Sequence, residues 1–527
     1  MEFRNINQLE KATDSYRFEL VRMGLALLFI AGIIIFTSVR AQGIEQGYML
    51  IIAAIIGGYM AINIGANDVA NNVGPAVGSK ALTLTGALLI AAIFEAAGAL
   101  IAGGDVVGTI KKGIIDPGAI SDTDTFIWLM MAALLAGAIW LNLATYLGAP
   151  VSTTHSIVGG VLGAGIAAGG FGIANWGKMG AIAASWVISP VLGGLIAALF
   201  LYIIKRTVLT RTNMLDRAKR VVPLLIMIMV WAFSTYLIMK GLKKVWKPGI
   251  EIAALTGLAI SVGVWFISQP LISRKANQMS PKTVNEEKDG VNSLFTVPLI
   301  CAAALLSFAH GANDVANAIG PLAAINEAIV NNGVVAKATI PLWVMMVGAI
   351  GIAIGLILFG PKLIRTVGTE ITELDKTRAF CIAMAAAITV IIASQLGLPV
   401  SSTHIAVGGV FGVGFLREYL KTSYASQLHT ISDHYQGAEK QRIEEYLADF
   451  KNASVEEMSR KLNQLKKREA DVFLSKSERK RLKRVYKDEL VKRSALYKIA
   501  AAWIITVPAS GGLAALLFFT IRGMMAG

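Results

Sequence analysis

Apolar runs of about 20 residues recur along most of this chain, each long enough to cross a hydrocarbon layer of about 30 Å as a helix. They fall at approximately 22–39, 47–64, 81–103, 126–148, 178–204, 221–240, 250–271, 294–310, 338–359, 379–397 and 497–521. Only 16% of the residues are charged and 55% are hydrophobic, where a soluble domain carries about a quarter charged residues. The fold class that follows is an all-α polytopic membrane protein. Its 52 glycines and 14 prolines, many inside the runs, predict broken or closely packed helices rather than plain anchors.

The net charge of +15 does not point to nucleic acid. Lys and Arg sit between the apolar runs, where the positive-inside bias of cytoplasmic loops puts them. The two cysteines, Cys301 and Cys381, lie within apolar runs and read as packing residues. The first run follows a long charged stretch and lacks a small-residue cleavage pattern, so it reads as a retained signal anchor.

The chain repeats itself. Gly65-Ala-Asn-Asp-Val-Ala-Asn-Asn-Val-Gly-Pro75 returns as Gly311-Ala-Asn-Asp-Val-Ala-Asn-Ala-Ile-Gly-Pro321. Pro150-Val-Ser-Thr-Thr-His155 returns as Pro399-Val-Ser-Ser-Thr-His404, and the closing helices correspond around Gly193-Gly194 and Gly511-Gly512. Three matched blocks in one order mean an internal duplication. The expected organisation is an N-terminal tail and extra helix (1–44), repeat 1 (45–204), a linker with two spans (205–293), repeat 2 (294–416), a soluble helical insertion (417–496) and the closing span of repeat 2 (497–527).

Two further stretches, 150–172 and 399–416, begin with Pro and are rich in Gly, Ser and Thr. Full crossing by both keeps the basic segments 361–378 and 417–496 on the cytoplasmic side, along with the 205–220 loop and its six basic residues and one acid. That topology has about 13 spans, a cytoplasmic N-terminus, an external C-terminus and two repeats of inverted orientation in a cell membrane. Lys243, Lys244 and Lys247 run against it. Inverted repeats place their broken or re-entrant helices face to face near the midplane, where secondary transporters bind substrate.

Two constellations carry chemistry. Asp68 and Asp314 stand at the ends of apolar runs with Asn67 and Asn71, or Asn313 and Asn317, beside them. An ionised Asp in a membrane costs about 3 kcal/mol even on lenient scales. Asp with Asn three residues on can present hard oxygens to a small cation from one helical face; helix capping or a protonated Asp are the other readings. Ser152, Thr153 and Thr154, matched by Ser401, Ser402 and Thr403, follow a proline and open a glycine-rich apolar helix. A helix N-terminus with hydroxyl donors suits a tetrahedral oxyanion, and ordinary capping without a ligand is the plain alternative. His155 and His404 close these motifs as proton relays, anion donors or packing groups. Glu95 lies mid-span, a functional candidate by its cost in the membrane.

With these motifs in hand the chain resembles the inorganic phosphate transporter (PiT) family over roughly residues 45–204 and 294–521. The resemblance implies a two-repeat inverted fold and symport of phosphate with sodium, or with protons in some bacterial members. It also implies that Asp68, Asn71, Asp314 and Asn317 hold the cation, that the two hydroxyl triplets hold phosphate, and that Glu95 is needed for transport. The helix at 22–39 and the 417–496 insertion depart from the family pattern. Spans 126–148 and 379–397 lack the acidic residue that some relatives carry there.

The expected function is therefore phosphate:sodium symport by alternating access, with no catalysis and no cofactor. The expected partners are phosphate, sodium and the lipid bilayer; association into a homo-oligomer is left open. Proton coupling, or another oxyanion such as sulfate, is the nearest alternative. A different class is an intramembrane enzyme built from Ser152 or Ser401 with a His and an Asp, and a third is a receptor or scaffold built on the soluble insertion.

Overall fold

A computed structural model describes the chain except residues 1, 121, 148–150, 211–212, 242–247, 282, 332, 334–339, 371–373, 421–436, 453–460, 462–463, 466–492 and 526–527. Pro150, the lysines at 243, 244 and 247, and most of the 417–496 insertion lie outside the described residues. Within the insertion, Gly437–Asn452 is helical, as its Glu/Lys-rich composition predicts.

The described residues form helices and no strand; a single bridge joins Ile115 to Ala174. In chain order come α1 (Glu2–Arg40), α2 (Gly47–Asn67), α3 (Ala70–Gly78), α4 (Leu84–Ala102), α5 (Gly104–Lys112), α6 (Thr123–Leu147), α7 (Thr153–Gly169) and α8 (Trp176–Ile204). There follow α9 (Met214–Gly241), α10 (Ile250–Asn277), α11 (Val284–Leu294), α12 (Thr296–Val330), α13 (Leu342–Glu370), α14 (Lys376–Gln395), α15 (Ser402–Leu420) and the closing helix Arg493–Met525.

Eleven helices among the described residues are long and apolar enough to span a membrane. The sequence count of about 13 included the segments after Pro150 and Pro399, and these are not among the eleven. The first of them, α7, has 17 residues, short of the roughly 20 that a full crossing needs. α1 presents Leu25, Leu27, Leu28 and Ile35 outward, as a peripheral helix facing lipid would, and packs through Ile33.

The duplicated halves pack reciprocally. In chain order α2, α4, α6, α7 and α8 correspond to α12, α13, α14, α15 and the closing helix. α2 lies on α13 and α12 on α4; α7 lies on the closing helix and α15 on α8. Such crosswise pairing is what two copies related by an approximate two-fold axis produce. Its tightest points are glycines in both copies. A Cβ on Gly65 would strike the carbonyl of Ile352, and one on Gly311 that of Glu95; Gly98 abuts Phe308 and Gly355 abuts Ile62 in the same way. Backbone-to-backbone approach of this kind is how membrane helices gain van der Waals contact without a hydrophobic drive.

The two Gly-Ala-Asn-Asp segments fold differently. In repeat 1 the helix breaks at Asp68–Val69 and resumes as α3. There the Asp68 carbonyl takes the Asn71 backbone N–H and also the Asn71 side-chain amide, both at 3.1 Å, a local competition that loosens a helix. In repeat 2 the same motif lies inside the uninterrupted 35-residue α12. The sequence reading put both aspartates at the ends of apolar runs; the structure interrupts the helix there in repeat 1 only.

Candidate functional site

The two Pro-hydroxyl motifs fold as helix starts. Ser152 caps α7 by accepting the His155 backbone N–H at 3.1 Å, and Ser401 accepts that of His404 at 3.3 Å. A serine cap satisfies one of the donors a helix start leaves orphaned. Capping therefore occupies the first hydroxyl of each triplet and leaves the next two to face inward.

Those hydroxyls meet the aspartates of both repeats. Thr153 donates to the Asp68 carboxylate at 2.6 Å, and Thr403, from the other repeat, donates to its second oxygen at 3.1 Å. Ser402 donates to Asp314 at 3.2 Å. The Asn71 amide bonds the Thr403 hydroxyl at 2.9 Å, and the Asn317 amide bonds Thr153 and Thr154, both at 3.2 Å. Thr154 itself donates to the Val400 carbonyl at 2.9 Å. All these side chains are buried. Residues more than 300 positions apart thus share one polar centre, knitted together by bonds that cross between the repeats.

Asn67 and Asn313 stand at its edge in matching roles. The Asn67 amide donates to Thr145 at 2.9 Å and its oxygen faces the Val151 N–H at 3.4 Å; the Asn313 amide donates to Ser394 at 2.9 Å and to the Leu398 carbonyl at 3.2 Å. Each clamps the hairpin of its own repeat.

Glu95 acquires the partners that the sequence did not reveal. Asn72 donates to it at 2.8 Å, and the His310 ring contacts its other oxygen at 2.7 Å. The second ring nitrogen of His310 lies 2.7 Å from Asp314. His310 therefore bridges two fully buried carboxylates. Sequence reasoning missed it; the available signal was its position one helical turn before Asp314, on the same face of α12.

Asp68, His310 and Asp314 bring one ligand atom each within 4.8 Å of one another. Around them Asp314 Oδ1 and the side-chain carbonyl oxygens of Asn72, Asn313 and Asn317 accept no hydrogen bond from any of the described residues. Buried acceptors are normally satisfied, so a cluster of acceptor oxygens without donors fits a hard cation. His155 and His404 take a different place. Their rings meet edge to face at 4.5 Å between centroids, with Trp186 against the first at 3.8 Å and Trp503 against the second at 3.6 Å. Neither ring hydrogen-bonds the serine of its own motif, so no serine–histidine pair of the enzymatic kind forms.

A sequence profile of the phosphate transporter family matches residues 64–514. The chain belongs to the phosphate transporter family. It is 51% identical over 531 residues to a Helicobacter pylori protein named "Putative phosphate permease", a match that covers 99% of each chain. It is 40% identical over 370 residues to a Pyrococcus abyssi protein also named as a phosphate permease, covering 70% of this chain and 89% of that one. A solved structure titled "The sodium-dependent phosphate transporter" superposes with a TM-score of 0.73 at 31% identity, over 91% of this chain and all of the other. Family and fold are thus those of a transporter.

Proposed function

We propose that the chain carries inorganic phosphate together with sodium by alternating access, through the centre where the two repeats meet. The observation that carries this reading is the shared polar core: carboxylates and carboxamides of α2, α3 and α12 bonded crosswise to hydroxyls at the starts of α7 and α15. Hydroxyl and backbone donors at two helix N-termini suit phosphate, while Asp68, Asp314, Asn71 and Asn317 offer hard oxygens to sodium. Because the bonds cross between repeats, rocking of one repeat against the other would open the centre to one face at a time. The positive-inside bias places residues 417–496 and the N-terminus in the cytoplasm and the C-terminus outside, and the six-part division of the chain given above goes with that topology.

A second reading, proton coupling, rests on a specific contact: His310 links Glu95 to Asp314 and could carry a proton between them. Purified protein in liposomes decides. Phosphate uptake driven by an inward sodium gradient at equal pH supports sodium; uptake driven equally well by a pH gradient without sodium sinks it. Competition by sulfate at the phosphate concentration would broaden the substrate to other tetrahedral oxyanions.

A further inference from the structure

α5 is a nine-residue helix bounded by Gly103 and Gly113, lying outside the spans and fastened to three separate parts of the protein. Asp105 pairs with Lys240 of α9. Thr109 donates to the Gly397 carbonyl at 2.7 Å, two residues before the proline that opens the second hydroxyl motif. Lys111 pairs with Glu327 near the end of α12, and Lys112 approaches the other oxygen of the same carboxylate at 3.4 Å.

The α12 face beneath α5 leads straight to the polar centre. Asn317, Gly320, Ala324 and Glu327 recur at spacings of three and four, so they form one stripe. Gly320 lies under Ile110, and Glu327 lies under Lys111. From Asn317 to Glu327 is about 15 Å along the axis. The stripe begins at the candidate phosphate donors' partner and ends at the ion pair. The stripe is buried throughout, and exposure rises only across the ion pair: the Glu327 side chain is 3% exposed, Lys111 8% and Lys112 24%.

We propose that α5 is a gate over this path, latched by the Lys111–Glu327 ion pair, and that it closes the centre toward the membrane face opposite α11. The proposal rests on the transport reading above for what passes the gate, but the latch is testable without it. A buried pair suits a latch because its Coulomb gain and desolvation cost nearly cancel. It can part at little net cost, provided neither charge is left buried alone. Lys112 supplies the means: at the solvent edge, it can hold Glu327 while Lys111 swings out. The glycines at both ends of α5 sit where a gate element needs its hinges. In repeat 2 the corresponding stretch is no separate element; α13 runs on as one helix to Glu370. The gate is thus peculiar to one half.

The test uses the full chain in liposomes with Cys301→Ser, Cys381→Ala and Ala324→Cys, placing one thiol under α5. A membrane-impermeant maleimide is applied from either face, and phosphate uptake is measured in parallel. The introduced thiol should label slowly in this parent and several-fold faster with Glu327→Gln or Lys111→Met, from the face opposite α11 only. The exchange Lys111→Glu with Glu327→Lys should restore slow labelling. Unchanged labelling in both single variants, or equal acceleration from both faces, overturns the gate. Should both single variants fail to fold, an exchanged pair that also fails overturns the latch, since a true pair tolerates reversal. If labelling behaves as expected while the parent takes up no phosphate, the transport reading falls and the gate stands.

Discussion

The two repeats build the same frame and fill it differently. Where Gly311 presses on the Glu95 carbonyl, Gly65 presses on that of Ile352, so Glu95 and Ile352 occupy matching places. By the same correspondence His310, just before Gly311, matches Ile64, and Asn72 matches Ala318. Repeat symmetry therefore pairs Asn72, Glu95 and His310, a hydrogen-bonded buried set, with Ala318, Ile352 and Ile64, an apolar set. The clamps Asn67 and Asn313, the capping serines and the close-packed glycines are alike in both halves. Shared residues hold the hairpins; the unshared ones introduce ionisable groups beside the centre. Charge in a membrane is costly and marks function, so the asymmetry singles out Glu95 and His310 as functional candidates.

The severest way to break the comparison strikes what both halves share. Asp68→Asn and Asp314→Asn should each lower coupled phosphate uptake by roughly 100-fold, the effect of losing a charged partner worth about 3 kcal/mol. Full uptake by both variants, at normal membrane levels, would move the cation elsewhere. The unshared set gives a sharper test. Glu95→Ile alone leaves His310 short of a partner and should destabilise the protein by about 3 kcal/mol. Adding His310→Ile copies the apolar counterpart, Ile352 with Ile64, and should recover much of that loss in thermal unfolding while uptake stays abolished. Recovery of uptake in the double variant would make the set merely structural.

Smaller effects are expected at the hydroxyls. Thr153→Ala and Thr403→Ala should each raise the phosphate KM by about tenfold, the worth of one hydrogen bond to a charged group, and leave the sodium dependence less affected. Equal shifts in both substrates would assign these hydroxyls to the cation instead. Smallest and most symmetrical, Asn67→Ala and Asn313→Ala should each cost about 1 kcal/mol of stability. A large difference between them would show that the clamps are not equivalent.

Much of the centre was legible from residues. The duplicated motifs named Asp68, Asp314, Asn71, Asn317, Thr153, Thr154, Ser402 and Thr403, and the structure brings all of them together. The same motifs could not tell side chains that bond the aspartates from those that cap helices or hold hairpins. Ser152 and Ser401 proved to be caps, and Asn67 and Asn313 hold hairpins, because hydroxyl and amide groups serve either purpose and only geometry chooses. His310 was hidden for another reason: its partner Glu95 lies 215 residues away, and no local pattern reports such a contact. The Lys111–Glu327 pair was hidden likewise.

Composition and repetition were enough to settle that this chain lives in a membrane and is built twice over, since hydrophobic runs of bilayer length and paired motifs survive without knowledge of contacts. Tertiary structure alone decided which copy of the Asn-Asp motif breaks, which short helices fall below spanning length, and which distant ionisable side chains meet. Those outcomes depend on crosswise packing between repeats, and packing partners far apart in the chain leave no periodic trace in it.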